Sequence, residues 1–164
     1  MIEQYHLINQ LRTRQENVYG VDTKDLFLSQ QLMNELKQAA VKNNSSHARI
    51  CLHQSDKSEL HTMLVYQSTQ FKGPIHAHPV NIENLTLLRG IAKVEIFNHN
   101  IKLQSSTLIK GCMNQDSSIS NLFFYQVAPM KFHRLEIIEE IFYIENTLGP
   151  FIKGKSMIIA DPIN

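Results

Sequence analysis

From residue 46 onward the sequence is a succession of short apolar or alternating segments, each closed by turn-forming residues. Ala48 to His53 is the first. Leu60 to Thr69 is the second; it alternates, with His61, Met63 and Val65 on one face and Thr62, Leu64 and Tyr66 on the other. Glu83 to Leu88 and Ile91 to Phe97 follow, divided by Arg89-Gly90, and Asn98-His99-Asn100 has the composition of a hairpin turn into Ile101 to Ile109. Leu122 to Val127 and Leu135 to Ile144 complete the series. Seven or more strands within ~100 residues predict an antiparallel sheet that is closed or sandwiched, with the strand count of a jelly roll.

The segment before residue 46 reads differently. Residues 6–12 can begin a short helix, and Val18 to Leu28 read as extended, with turns at Gly20 and Asp22. One helix is clear. Ser29 can cap it, and Leu32, Met33, Leu36, Ala39 and Ala40 fall on one face at spacings of three and four. Asn43-Asn44-Ser45-Ser46 ends it. The expected organisation is one structural domain: an arm and helix over residues 1–45, and a barrel with a C-terminal extension over residues 46–164. The helix packs outside the barrel or against a second subunit.

Composition narrows the function. The 164 residues suffice for one domain, and 43% hydrophobic against 19% charged residues supply a core. A net charge of +1 gives no field to hold nucleic acid. No apolar run reaches the ~18 residues of a membrane span, and the first residues lack the pattern of a signal peptide. The expected location is therefore the cytoplasm, where Cys51 and Cys112 are reduced thiols in no metal-like spacing.

The chemistry-bearing stretch is Gly73-Pro74-Ile75-His76-Ala77-His78-Pro79-Val80-Asn81-Ile82-Glu83, with Gly90 beyond it. Residues two apart on a strand project from the same face, so His76 and His78 can reach one point. A turn over Pro79 to Ile82 would bring Glu83 to the start of the next strand beside them. Two imidazoles and a carboxylate are a familiar ligand set for a divalent transition metal.

This spacing, His76-x-His78, four residues, Glu83, six residues, Gly90, resembles the first sequence motif of the cupins, which are double-stranded β-helix (jelly-roll) proteins. The resemblance implies a cupin barrel with an N-terminal arm and one packed helix. It also implies a further histidine ligand in a second motif. The candidate is His133, in Ala128-Pro129-Met130-Lys131-Phe132-His133. That segment lacks the expected glycine, and its proline stands four residues before the histidine rather than five. More of the chain, roughly residues 25–155, is similar to the WbuC family of cupin-fold metalloproteins. The similarity runs through Leu36-Lys37-Gln38-Ala39-Ala40, Ala48-Arg49-Ile50-Cys51-Leu52-His53, Met63, Glu95-Ile96-Phe97, Glu145 and Gly149-Pro150-Phe151. It implies a pathway, bacterial O-antigen synthesis, and no particular reaction.

The expected cofactor is one divalent transition metal per chain, with Fe, Mn, Ni and Zn equally compatible. Four-coordinate Zn²⁺ would be closed by three histidines and Glu83, whereas a six-coordinate ion would keep two adjacent positions open. Without His133 the set resembles a facial triad. Arg49, His53 and Lys72 are candidates for an anionic substrate group. Glu145 is a candidate second carboxylate near the barrel mouth, and Glu136, Glu139 and Glu140 read as an exposed edge.

Three functions follow as expectations. The first is a metal-dependent enzyme acting on a sugar or sugar-nucleotide in surface-polysaccharide synthesis. The second is a non-haem iron dioxygenase, and the third a non-catalytic ligand-binding module. The expected partners are a small-molecule ligand, a sugar derivative in the first reading, and a second copy of the chain in a homodimer; nucleic acid and membrane are not expected.

Overall fold

A computed structural model describes residues 11–21, 27–114, 122–152 and 154–160. Twelve strands and one helix follow in the order β1 Arg12–Gln15, β2 Val18–Gly20, α1 Gln30–Lys42, β3 His47–Cys51, β4 Leu60–Gln67, β5 His76–Ala77, β6 Glu83–Arg89, β7 Ile91–Phe97, β8 Leu103–Lys110, β9 Phe124–Val127, β10 Phe132–Ile137, β11 Ile141–Leu148 and β12 Ile158–Ile159. They form a seven-stranded sheet, β1-β2-β3-β4-β11-β6-β9, and a five-stranded sheet, β12-β5-β10-β7-β8. All pairings are antiparallel except β2 with β3. This is the jelly roll expected from the strand count.

Period-two alternation sorts the side chains. In β4 Met63 and Val65 join Cys51, Leu85, Leu87, Ala92, Val94, Ile109, Ile137, Ile141 and Tyr143 in the core between the sheets. Leu64 and Tyr66 point the other way, with Ala48, Ile50 and Phe142, into a second core under α1. Both faces of the seven-stranded sheet are thus apolar around β4 and β11, which is why Met63 to Tyr66 in β4 is a continuous apolar run. The helix lies on the outer face of its own sheet. Ser29 Oγ accepts from Leu32 N at 3.1 Å to cap it, and Leu32, Leu36 and Ala40 have no exposed surface.

Several boundaries differ from the sequence expectation. Residues 6–10 lie outside the described residues, and Arg12 belongs to a strand rather than a helix. Leu135 to Ile144 is two strands, because Ile138, Glu139 and Glu140 turn the chain from one sheet into the other. The Asn98 turn extends to Lys102, since Asn98 Oδ1 accepts from both Asn100 N and Lys102 N at 2.9 Å. Glu136 lies on a stretch of β10 that only β7 flanks, since β5 pairs with β10 at His133 alone, and Glu139 and Glu140 are exposed in the turn that follows. Glu136 pairs with Lys93 at 2.9 Å and Glu140 with Lys37 of α1 at 2.6 Å. Among the described residues no helix is long and apolar enough to cross a membrane.

Candidate metal centre

Four side chains from three strands and their margins meet at one end of the barrel. His76 opens β5, His78 follows it, and His133 lies in β10 directly opposite His76 in the register. Glu83 opens β6 in the other sheet. The turn after His78 therefore carries the chain across the barrel mouth, so that Glu83 faces the histidines rather than lying beside them. One ligand atom from each of the four residues lies within 4.8 Å of all the others. Glu83 Oε2 is 2.5 Å from His78 Nε2, 3.5 Å from His133 Nε2 and 4.0 Å from His76 Nε2.

The far side of each imidazole is fixed. Nδ1 of His76 faces Pro74 O at 3.2 Å, that of His78 faces Ser156 O at 3.0 Å, and that of His133 faces Lys131 O at 2.9 Å. A carbonyl accepts only, so Nδ1 carries the proton in all three rings and Nε2 presents a lone pair. Three lone pairs and a carboxylate then converge on one point. Nε2 of His78 and of His133 is buried without a well-directed hydrogen bond. Lone pairs turned toward an anion repel it, and a cation at their common point removes that conflict. Imidazole nitrogens and a carboxylate oxygen are the donors a divalent transition metal takes, and here all four lie within 4.8 Å of one another. The residues present fit such an ion. Histidine ligands held from behind by backbone carbonyls are also the usual outer support of metal sites.

The electrostatics of the bare cluster favour the ionised carboxylate. Burial pushes Glu83 up, but His133 and His78 pull its carboxyl far below the ordinary range. Burial, then the neighbouring His133, lowers His76. Burial lowers His78 as well, yet the adjacent Glu83 carboxylate outweighs it and the net shift is upward.

The remaining sequence candidates are placed as follows. Arg49 stands on the inward face of β3, opposite Val65. His53 is not on that strand, which ends at Cys51. It stacks on His61 with ring centroids 4.1 Å apart, and its Nδ1 faces Thr62 O at 3.2 Å. Lys72 is exposed and close enough to Glu136 to help lower that carboxyl. Glu145 faces the interior from β11, across from Met63 and Leu85. Burial, then the Glu83 charge, raises it to about 8. Cys51 is buried, Cys112 exposed, and neither is bridged.

Three further residues stand beside the cluster, of which sequence reasoning missed Ser156 and Thr147. Ser156 holds His78 from a C-terminal loop folded back on the mouth. Tyr125 stands with its ring 6.4 Å from that of His133. Thr147 lies beside Glu83 in the register. The signal for Thr147 was the alternation Ile141, Tyr143, Glu145, Thr147 in β11; nothing local marks Ser156.

Fold and site together define a double-stranded β-helix, the cupin-type barrel, with a candidate metal centre at its mouth. Capsular polysaccharide assembling protein CapF from Staphylococcus aureus superposes with a TM-score of 0.57 at 9% identity, over 71% of this chain and 32% of that one. A conserved protein with a double-stranded β-helix domain from Klebsiella pneumoniae gives 0.51 at 12% identity, over 73% of this chain and 88% of that one. Oxalate oxidase in complex with glycolate gives 0.50 at 13%, over 70% and 55%. This chain thus spans about a third of CapF, and at such identities the likeness concerns fold alone. No curated protein matches the sequence. The chain belongs to the family described as a domain of unknown function (DUF6016), whose profile matches residues 28–109.

Proposed function

We propose that this protein is a metal-dependent cupin acting on a sugar or sugar-nucleotide in the synthesis of a bacterial surface polysaccharide. One divalent transition metal per chain is held by His76, His78, Glu83 and His133. The observation that carries the metal is the set of three Nδ1–carbonyl contacts, which leaves three Nε2 lone pairs aimed at one buried point beside a carboxylate. The substrate class is supported by the resemblance to the WbuC family. The fold likeness to CapF, a capsular polysaccharide assembling protein, agrees with it. Bound there, the metal would supply Lewis acidity, polarising a carbonyl or acidifying water. The chain's own part is orientation: backbone carbonyls fix the three rings, and the half-buried mouth limits water around them.

The donor set also suits a second reading, a non-haem iron dioxygenase, because three histidines and one glutamate leave two adjacent positions open on a six-coordinate ion. Elemental mass spectrometry of tag-free protein decides between them. Near-stoichiometric metal is expected in the wild type, and its loss in His76→Ala and Glu83→Ala. Zinc or manganese directs the next assay to sugar isomerisation, and iron to oxygen uptake. A folded wild type that takes up no metal after reconstitution overturns the proposal and leaves a ligand-binding barrel.

A further inference from the structure

Behind the four-ligand cluster the strand register lays out three inward rows on the seven-stranded sheet. Glu83, Thr147 and His61 form the row at the mouth. Leu85, Glu145, Met63 and Cys51 form the next, and Leu87, Tyr143, Val65 and Arg49 the third. Successive rows are roughly 7 Å apart. Tyr125 flanks the second row opposite Leu85.

Two features of these rows are unlike a filled core. Glu145 sits on the inward face of a strand with neighbours on both sides, yet it is only half-buried. With strands on both sides of it, the surface it keeps faces the barrel interior. Around it, polar atoms are orphaned: Arg49 Nε, Tyr125 Oη and Thr147 Oγ1 have neither accessible surface nor a hydrogen-bond partner. Each such group costs free energy that a protein normally recovers with a partner. The guanidinium is the most demanding, because it cannot shed its charge. Among the described residues no carboxylate lies within ion-pair distance of it, Glu145 included.

Resting on the reading of this barrel as a substrate site, we propose that the barrel interior beside these partnerless groups is a subsite for an oxyanion of the substrate, bound by Arg49. Thr147 and Tyr125 give hydrogen bonds to polar oxygens between the anion and the metal centre. The substrate class is then an acid or phosphate ester of a polyol, not a neutral sugar.

Calorimetry on metal-loaded protein tests this with four probes: D-gluconate, D-glucitol 6-phosphate, neutral D-glucitol, and malonate as an anion without a sugar skeleton. Binding of gluconate or of the phosphate ester is expected, and which of the two binds identifies the oxyanion. Arg49→Gln should weaken it about tenfold or more, the loss brought by removing a charge-assisted contact. Arg49→Lys should retain more affinity than Arg49→Gln, glucitol should bind at least ~10-fold more weakly than the anion, and metal content should be unchanged in both variants. Binding of malonate alone, dependent on Arg49, keeps the subsite and overturns the sugar reading. Arg49-dependent binding to a wild type that holds no metal keeps the subsite and overturns the metal centre. No anion binding, or equal binding to wild type and Arg49→Gln, overturns the subsite. If Arg49→Gln does not fold, Tyr125→Phe and Thr147→Val decide, and unchanged anion affinity in both overturns it.

Discussion

His76 and His133 are register partners across β5 and β10, and their rings stand 4.3 Å apart, centroid to centroid. The pair comes from segments more than fifty residues apart in sequence. It therefore depends on the two strands docking, not on a local motif. His133 is buried and its Nε2 faces Glu83 at 3.5 Å. His133→Ala should thus lower metal content as His76→Ala does, despite the altered turn before it. Elemental analysis checks this, and full occupancy in a folded His133→Ala variant would leave His76, His78 and Glu83 as the whole site.

The fixed tautomers give a second prediction. Metal ligation needs Nε2 unprotonated, so binding competes with protons. Burial is outweighed at His78 by the Glu83 carboxylate, so its pKa is raised. The apparent metal affinity should fall as pH drops through the raised His78 value. Glu83→Gln, which removes the anion that holds the proton, should shift that fall to lower pH while weakening affinity overall. Zinc titrations against a competing chelator at several pH values read both effects.

Much of this site was legible in the sequence, and the reasons differ by residue. His76 and His78 stand out because period two places them on one side of a short strand. Glu83 is legible only with the strand that it begins. Its true position across the mouth follows from the crossing between sheets, which no spacing encodes. The break between β10 and β11 was missed because Ile137, Ile138 and Ile141 keep the apolar run going through the turn. Arg49 reads as a substrate residue from its type, but its inward face emerges only from pairing with Val65. His53 was read as the end of the Ala48 to His53 segment, but the strand stops at Cys51.

Glu145 should make the metal-free protein lose stability as pH rises from about 4.5 to about 8. Its folded pKa, about 8, lies above the ordinary 4.5, chiefly through burial and then through the Glu83 charge. The folded state therefore holds a proton that the unfolded state has released between these values. The contribution to stability is complete below about pH 4.5 and is lost as pH rises through about 8. Glu145→Gln cannot ionise, so the difference in melting temperature between variant and wild type should grow in favour of the variant across that window. Parallel profiles in the two metal-stripped proteins would contradict the buried, protonated carboxyl.

Gly90 closes the turn between β6 and β7 with φ +86°. A Cβ there would lie 2.0 Å from Glu140 O and 3.0 Å from Ile141 Cγ2, so the backbone of the β10–β11 turn would have to move. Gly90→Ala should cost at least ~2 kcal/mol, lowering the melting temperature by several degrees. The remaining folded protein should bind metal as before, since the turn lies at the opposite end of β6 from Glu83. A melting curve superimposable on wild type would refute the close approach.

The helix supplies the last test, because the sequence left it free to pack on its own barrel or on a second subunit. Leu36 is fully buried with Leu32 and Ala40 against Ile50, Leu64 and Phe142 of the same chain. Leu36→Ala removes that contact and should cost about 2–5 kcal/mol. Gln38→Ala, on the exposed side, should change stability by no more than ~0.5 kcal/mol. A contact within one chain is lost by the same amount at every protein concentration, whereas a contact between subunits weakens with dilution. Denaturation of Leu36→Ala and wild type across a hundredfold range of concentration separates the two. A constant difference is the expected result, and one that varies with concentration would place the partner face of α1 on another molecule.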